Sequence, residues 1–296
     1  MIRWFKTLRS NLQRLRDLEA RCERLQIALG RIEARQTADA TSLADAEFGV
    51  FSQWGEDGIL QYLIRHVPIE RRIFVEFGVQ DYSESNTRFL LVNNNWSGLV
   101  IDGDSSSIEQ IRRSDIFWRH DLNAVCAFVT RENINSLLAA AGIEGDIGLL
   151  SIDVDGNDYW IWEGITCISP RIVVVEYNAR FGSERAISMP YNPNFVRRTA
   201  HYSMIYYGAS LAALAFLADR TGYVLVGCNS SGNNAFFVRK DVMPRSLRAL
   251  TVAEAFNSAQ FRESRDVRGN LQYLSHQQEA ELLAGLPIVD VTVPHK

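Results

Sequence analysis

RIFVEFGVQDYSESNTRFLLVNNNWSGLVIDGD, residues 72–104, reads as strand, turn, helix and strand in succession. RIFVEF (72–77) and SGLVID (97–102) are short apolar runs, each with an acidic residue at or near its end and a glycine just beyond, and residues 86–94 between them suit a helix. A unit of this kind belongs to a parallel sheet covered by helices. The alternation continues outward, with strands expected at IFWRH (116–120), IGLLSID (147–153) and RIVVVEY (171–177), and helices at 56–66, 105–113, 132–141 and 158–164. The last two runs differ. GYVLVGCN (222–229) and NNAFFVRK (233–240) are separated only by Ser230, Ser231 and Gly232, too short for a crossover, so they predict an antiparallel hairpin. The expected fold class is α/β: a Rossmann-like, doubly wound, mostly parallel sheet with an antiparallel last strand.

Ahead of this body, residues 1–36 predict a coiled-coil helix. Leu8, Leu15, Cys22 and Leu29 repeat every seven residues, and Trp4, Asn11, Leu18, Leu25 and Ile32 form a second row three residues further on, an a/d seam with one polar position. The seam predicts self-association. The basic, aromatic start (Ile2, Arg3, Trp4, Phe5, Lys6, Leu8, Arg9) also suits peripheral contact with an anionic membrane, and the helix could instead pack on its own catalytic domain. Gly30 and the polar residues 36–47 are expected to end the helix pattern, giving a linker over 37–47 and one catalytic domain over 48–296.

The chain carries 31 Lys and Arg against 35 Asp and Glu, a net charge of -4. The first 36 residues hold nine basic and four acidic side chains, so the body is distinctly acidic. That argues against a nucleic-acid partner, which needs a basic face. Four scattered cysteines without a CxxC pair, no apolar leader and no long apolar run predict a cytoplasmic protein, peripheral at the inner face of the membrane if the start binds lipid.

In doubly wound sheets ligands bind beyond the carboxyl ends of the strands. Glu76 there can hold an ammonium, Gly78 lets the backbone approach a ligand, Asp102 with the following Gly103 suits a ribose, and Asp121, after the expected third strand, an adenine. One glycine in place of three weakens a nicotinamide or flavin reading. Asp153 and Glu176 end the next two strands. With Asn178 they would present oxygen ligands to Mg²⁺, which could acidify a bound hydroxyl, while Asp155 and Asp158 read as a solvated turn. The alternative pairs Glu176 with Arg180. Residues 180–208, irregular and rich in Arg, Tyr and Asn, are the expected acceptor cover, where Arg185, Arg197 and Arg198 could meet a phosphate.

FSQWGEDGIL (51–60), FVEFG (74–78), GLVIDGD (98–104), IDVDGNDYWIWEGI (152–165) and RIVVVEYN (171–178) together resemble the FkbM-like family of class I S-adenosylmethionine-dependent methyltransferases over roughly residues 50–240. The resemblance implies methyl transfer to an oxygen of a sugar or glycan-type acceptor. It implies that Glu76 and Gly78 face the methionine part of the donor, Asp102 the ribose and Asp121 the adenine, with Ser52, Gln53 and Asp57 closing over the amino-acid end; Asp81 and Gly103 are further expected donor contacts, and Asp153 and Glu176, assisted by Asn178, are the expected catalytic pair. The turn VQDYSES has less glycine than the family usual, and Asp155 stands where the family often has Glu. Two other readings stay open. Asp153 and Asp155, or Asp102 and Asp104, form the Asp-x-Asp pair of a metal-dependent glycosyltransferase-like enzyme using a nucleotide sugar, and a non-catalytic coiled-coil scaffold would need none of these acids.

Overall fold

The computed structural model describes residues 2–293; the side chains of residues 2–6, of Leu8 and of Arg16 lie outside the description. Trp4 and Leu8 of the seam, and most of the basic aromatic start, therefore fall outside the described residues. Helix α1 (Ile2–Gln36) is followed by α2 (Leu43–Ala46) and α3 (Glu56–His66). The alternating body runs β1 (Ile73–Phe77), α4 (Arg88–Asn94), β2 (Ser97–Asp102), α5 (Ser105–Arg113), α6 (Asp115–Arg119), β3 (Leu122–Cys126), α7 (Ile134–Ala140), β4 (Gly145–Ile152), α8 (Asp158–Gly164) and β5 (Ile168–Glu176). Short β6 (Ile187–Ser188) and α9 (Arg197–Ala200) lead to α10 (Leu211–Thr221), β7 (Tyr223–Cys228) and β8 (Asn234–Arg239). The chain closes with α11 (Val252–Ala255), α12 (His276–Ala284) and β9 (Val289–Asp290).

Among the described residues, seven strands form one sheet in the order β3-β2-β1-β4-β5-β8-β7. Pairing is parallel from β3 to β5, whereas β8 lies antiparallel between β5 and β7. Counting only the strands of this sheet, that is 3-2-1-4-5-7-6, the order of the class I methyltransferase-like fold. The sequence reading of the fold class is correct, including the hairpin, although the antiparallel strand sits inside the sheet and not at its edge.

Alternate side chains of each strand feed two cores. On β1, Phe74 faces a layer built with Ile59, Leu60 and Leu63 of α3 and Ile108 of α5. Val75 and Phe77 face the opposite layer, with Ile134 of α7, Ile161 of α8 and Leu214 of α10. Burial on both faces is why these strands read as nearly continuous apolar runs.

Two sequence expectations fail here. IFWRH is not a strand: residues 115–119 form α6, with an exposed Asp115–Arg119 ion pair at 2.7 Å, while Ile116 and Phe117 pack on the layer that holds Phe74. The true third strand, Leu122–Cys126, pairs only with β2 and is exposed at Asn123 and Cys126, so its apolar signal is weak. Nor does Gly30 end α1. The helix runs on to Gln36, and Gly30 is where it touches the body: a Cβ there would lie 2.4 Å from Val50 and 2.9 Å from Phe89. Ala34 and Ile27 join the same cluster with Phe48, Phe51 and Phe89, and Glu23 pairs with Arg88 at 2.6 Å. Within residues 37–47, Leu43 and Ala46 are buried. No helix among the described residues is long and apolar enough to cross a membrane.

Candidate active site

A continuous cleft opens at the carboxyl ends of β1, β2 and β4, with Gly78, Gln80 and Asp153 shared by its two halves. Gly78 shapes it. Its φ of +75° is costly for any residue with a Cβ, and a Cβ there would sit 1.6 Å from the Asp153 carbonyl oxygen, so only glycine lets the ends of β1 and β4 come this close. Asp102 fastens the loop after Gly78. One oxygen accepts from the Gln80 N–H at 2.7 Å and the other from the Asp104 N–H at 2.8 Å, leaving lone pairs on a side chain that lines the cleft. Gly103 and Phe128 complete that wall.

Glu76 lines the other half but is already well used. Buried, it accepts from the N–H groups of Asn86 (2.8 Å) and Thr87 (3.1 Å) and from the Thr87 hydroxyl, anchoring the far end of the loop. Burial raises its pKa against these bonds. Asp81 lies in the same loop, its pKa lowered first by the Ser83 hydroxyl, and Gln53 lies across the cleft. Asp121 is misplaced in the sequence reading. Because 116–120 is not a strand, Asp121 precedes β3 and lies beside Arg72, Trp96 and Ser97 at the amino ends of the strands, remote from the cleft.

The loop carrying Gln53 and Trp54 is pinned by Asp57. One oxygen of this buried carboxylate accepts from the N–H groups of Val50, Phe51 and Ser52, each at 2.7 Å, and from the Ser52 hydroxyl; the other has no partner. Burial raises the carboxyl from 3.8 to about 6. Since the folded value is the higher one, this group's contribution to stability is largest below pH 3.8 and falls as pH rises through about 6. Asp57→Ala should lower unfolding free energy by about 3 kcal/mol in urea denaturation, because three backbone donors lose their acceptor; an unchanged midpoint would remove the anchoring role.

Carboxylate oxygens of Asp153, Asp155 and Glu176 lie within 4.8 Å of one another. Asp153 follows β4 directly and Glu176 ends β5, so parallel pairing brings them together. Burial, then the charges of Asp155 and Asp158, push the Asp153 pKa well up; burial, then Asp153, does the same to Glu176. One Glu176 oxygen is buried without a partner. Asp158 is no solvated turn residue: fully buried, it accepts from the Val154 N–H at 2.9 Å and the Gly156 N–H at 3.0 Å and so folds the turn. Asp155, exposed with φ +55°, pairs with Arg197 at 2.6 Å.

Asn178 does not complete this group. Its amide donates to the carbonyls of Ile205 (2.9 Å) and Tyr207 (3.0 Å), and its oxygen accepts from the Arg180 N–H, so the third side chain near Asp153 and Glu176 is Asp155. Arg180 is not the partner of Glu176 either; it pairs with Glu263 at 3.0 Å and Glu279 at 3.2 Å. Arg197 is likewise engaged, by Asp155 and Glu263, with its guanidinium 3.7 Å from the Tyr207 ring centre. Residues 180–208 pack as a wall: Met189, Phe195, Ile205, Tyr206 and Tyr207 cluster with Leu283.

The sequence reading missed the outer wall altogether. Phe261 stacks on Trp54 with ring centres 5.3 Å apart, and the Asn257 carbonyl takes the Tyr177 hydroxyl at 2.7 Å, so part of the tail stands beside the cleft. Trp54 belongs to the FSQWGEDGIL motif; Phe261 and Glu263 carried no local signal.

No protein-family model matches this sequence, and no curated protein sequence matches it. Several solved structures are similar. The N-terminal domain of EvdMO1 with SAH bound shares 10% identity at a TM-score of 0.34, over 56% of this chain and 72% of that one. An S-adenosylmethionine-dependent methyltransferase from Clostridium acetobutylicum ATCC 824 shares 8% identity at 0.40, over 62% and 90%. An O-methyltransferase family protein from Burkholderia thailandensis shares 10% at 0.36, over 80% and 60%.

Proposed function

We propose that this chain is an S-adenosylmethionine-dependent methyltransferase acting on an oxygen of a sugar or glycan-type acceptor, in keeping with its resemblance to FkbM-like enzymes. The observation that carries this is the charge of the cleft. Glu56, Glu76, Asp81, Glu84, Asp102 and Asp153 are among its lining residues, and no Lys or Arg is. S-adenosylmethionine, with a sulfonium and an ammonium against one carboxylate, is a net cation and gains from such a lining. A metal-free nucleotide diphosphate is repelled by it, so the glycosyltransferase-like reading needs a cation to carry the phosphates.

The donor's ribose hydroxyls fit the free lone pairs of Asp102, its adenine the face of Phe128, and its methionine end the half lined by Gln53, Gly78 and Asp81. Asp102→Ala should weaken S-adenosylhomocysteine about 10- to 100-fold by calorimetry, the worth of hydrogen bonds to a charged group; unchanged affinity would move the ribose elsewhere.

The acceptor takes the side walled by Trp54, Phe261, Asn233 and Asn234, an aromatic face with amides that suits a hydroxylated ring. Methyl transfer breaks the sulfonium–carbon bond and forms a carbon–oxygen bond, and the hydroxyl proton passes to Asp153, with Glu176 sharing the charge. The three clustered carboxylates and the unpartnered Glu176 oxygen also fit Mg²⁺, held by Asp153, Asp155 and Glu176. When bound it would acidify the acceptor hydroxyl.

Calorimetric titration with S-adenosylhomocysteine and with a uridine diphosphate sugar, each with and without Mg²⁺, tests the reading. Binding of the first alone supports it. Binding of the second alone replaces it with sugar transfer, and silence from both returns the coiled-coil scaffold.

A further inference from the structure

Helix α1 has two apolar faces, and the body covers only one. Ile27, Gly30 and Ala34, with Glu23, meet the body through Phe48, Phe89 and Arg88. The seam lies roughly 150° around the helix at about 100° per residue. Its side chains Leu15, Leu18, Leu25, Leu29 and Ile32 are each 50–65% exposed, and Cys22 is exposed too. Packing of α1 on its own domain therefore leaves the seam free.

We infer that this seam pairs with a second copy of the same helix as a parallel, in-register, two-stranded coiled coil. The flanking charges choose the orientation. Arg14 and Arg21 lie on one side of the seam, and Glu19 and Glu33 on the other. In a parallel pair Arg14 meets Glu19 of the second copy. A centred antiparallel pair would set Glu19 against Glu19 and Arg21 against Arg21. Arg14, Glu19, Arg21 and Glu33 are the charged flanking positions, and apart from Leu12 and Ala28 the apolar stripe keeps to the a and d rows, the narrow seam of two strands. Glu19 and Glu33 beside the stripe also make an anionic lipid surface the poorer occupant. With the body held on the far side of each helix, two catalytic domains fit outside the pair. None of this rests on the donor reading.

Sedimentation equilibrium of the full chain should give twice the chain mass. Leu18→Glu combined with Leu25→Glu should give a folded monomer with the near-ultraviolet circular dichroism of the wild type, since both side chains face solvent in the single chain. Parallel register puts Cys22 beside Cys22, whereas centred antiparallel pairing puts it beside Leu18. Diamide should therefore link the chains covalently, an outcome lost in Cys22→Ser and kept in Cys126→Ser. A monomeric or trimeric wild type, a dimer that survives both glutamates, or a dimer that diamide does not link through Cys22 overturns the inference. So does a monomer that floats with phosphatidylserine vesicles.

Discussion

Turnover of Asp153→Asn is expected to fall about 100-fold or more, the usual worth of a general base, while affinity for S-adenosylhomocysteine stays within about threefold. On the proposed reading donor binding survives, because the contact between Asp153 and Gly78 that shapes the cleft is made by the Asp153 main chain. The Asp153 carbonyl packs on Gly78, and an amide side chain leaves that contact in place. The chemistry is lost because asparagine cannot take the acceptor proton. The pH profile separates this from mere disturbance. Asp153 and Glu176 both have raised pKa values, so the acid limb of kcat should lie above the ordinary carboxylate range, with activity rising as the pair loses a proton. Removing the like charge at 153 should lower the Glu176 pKa, moving the limb of the residual activity to lower pH. Near-normal turnover, or a limb that does not move, would take the base away from Asp153.

The parts of this site that were legible in sequence are those fixed by strand ends. Glu76, Gly78, Asp102, Asp153 and Glu176 could be placed at the carboxyl ends of the strands because apolar runs buried on both faces mark where each strand stops. Asp121 failed for the same reason. Ile116, Phe117 and Trp118 look like a strand in composition, yet a short helix packs the first two against the body, and the true edge strand Leu122–Cys126 is half exposed and so weakly marked. A third group was illegible because it depends on distant partners. Nothing near Phe261 points to Trp54, and nothing near Glu263 points to Arg180 and Arg197. Gly30 belongs to this group as well, since a glycine inside a helical pattern reads as a stop until the surface it meets is known.

Gly78→Ala should weaken S-adenosylhomocysteine by about 100-fold or more, as expected when reacting groups shift by about 1 Å, and should lower stability by about 2–3 kcal/mol. Two costs add. Alanine pays for the left-handed backbone at φ +75°, and its Cβ would stand 1.6 Å from the Asp153 carbonyl oxygen, so the end of β1 or of β4 must move. Either shift displaces a cleft wall: Gln80 N–H leaves Asp102, or the Asp153 carboxylate leaves Glu176. The two costs can be told apart at Gly142, which has nearly the same backbone, φ +72°, with nothing within 4 Å of the place a Cβ would take and no part in the cleft. Gly142→Ala should therefore lose only about 1 kcal/mol and bind the donor normally. Thermal melting and calorimetry on the two variants decide the matter. Equal behaviour would mean that backbone conformation alone explains Gly78, while loss of binding confined to Gly78→Ala ties the donor seat to the close approach of β1 and β4.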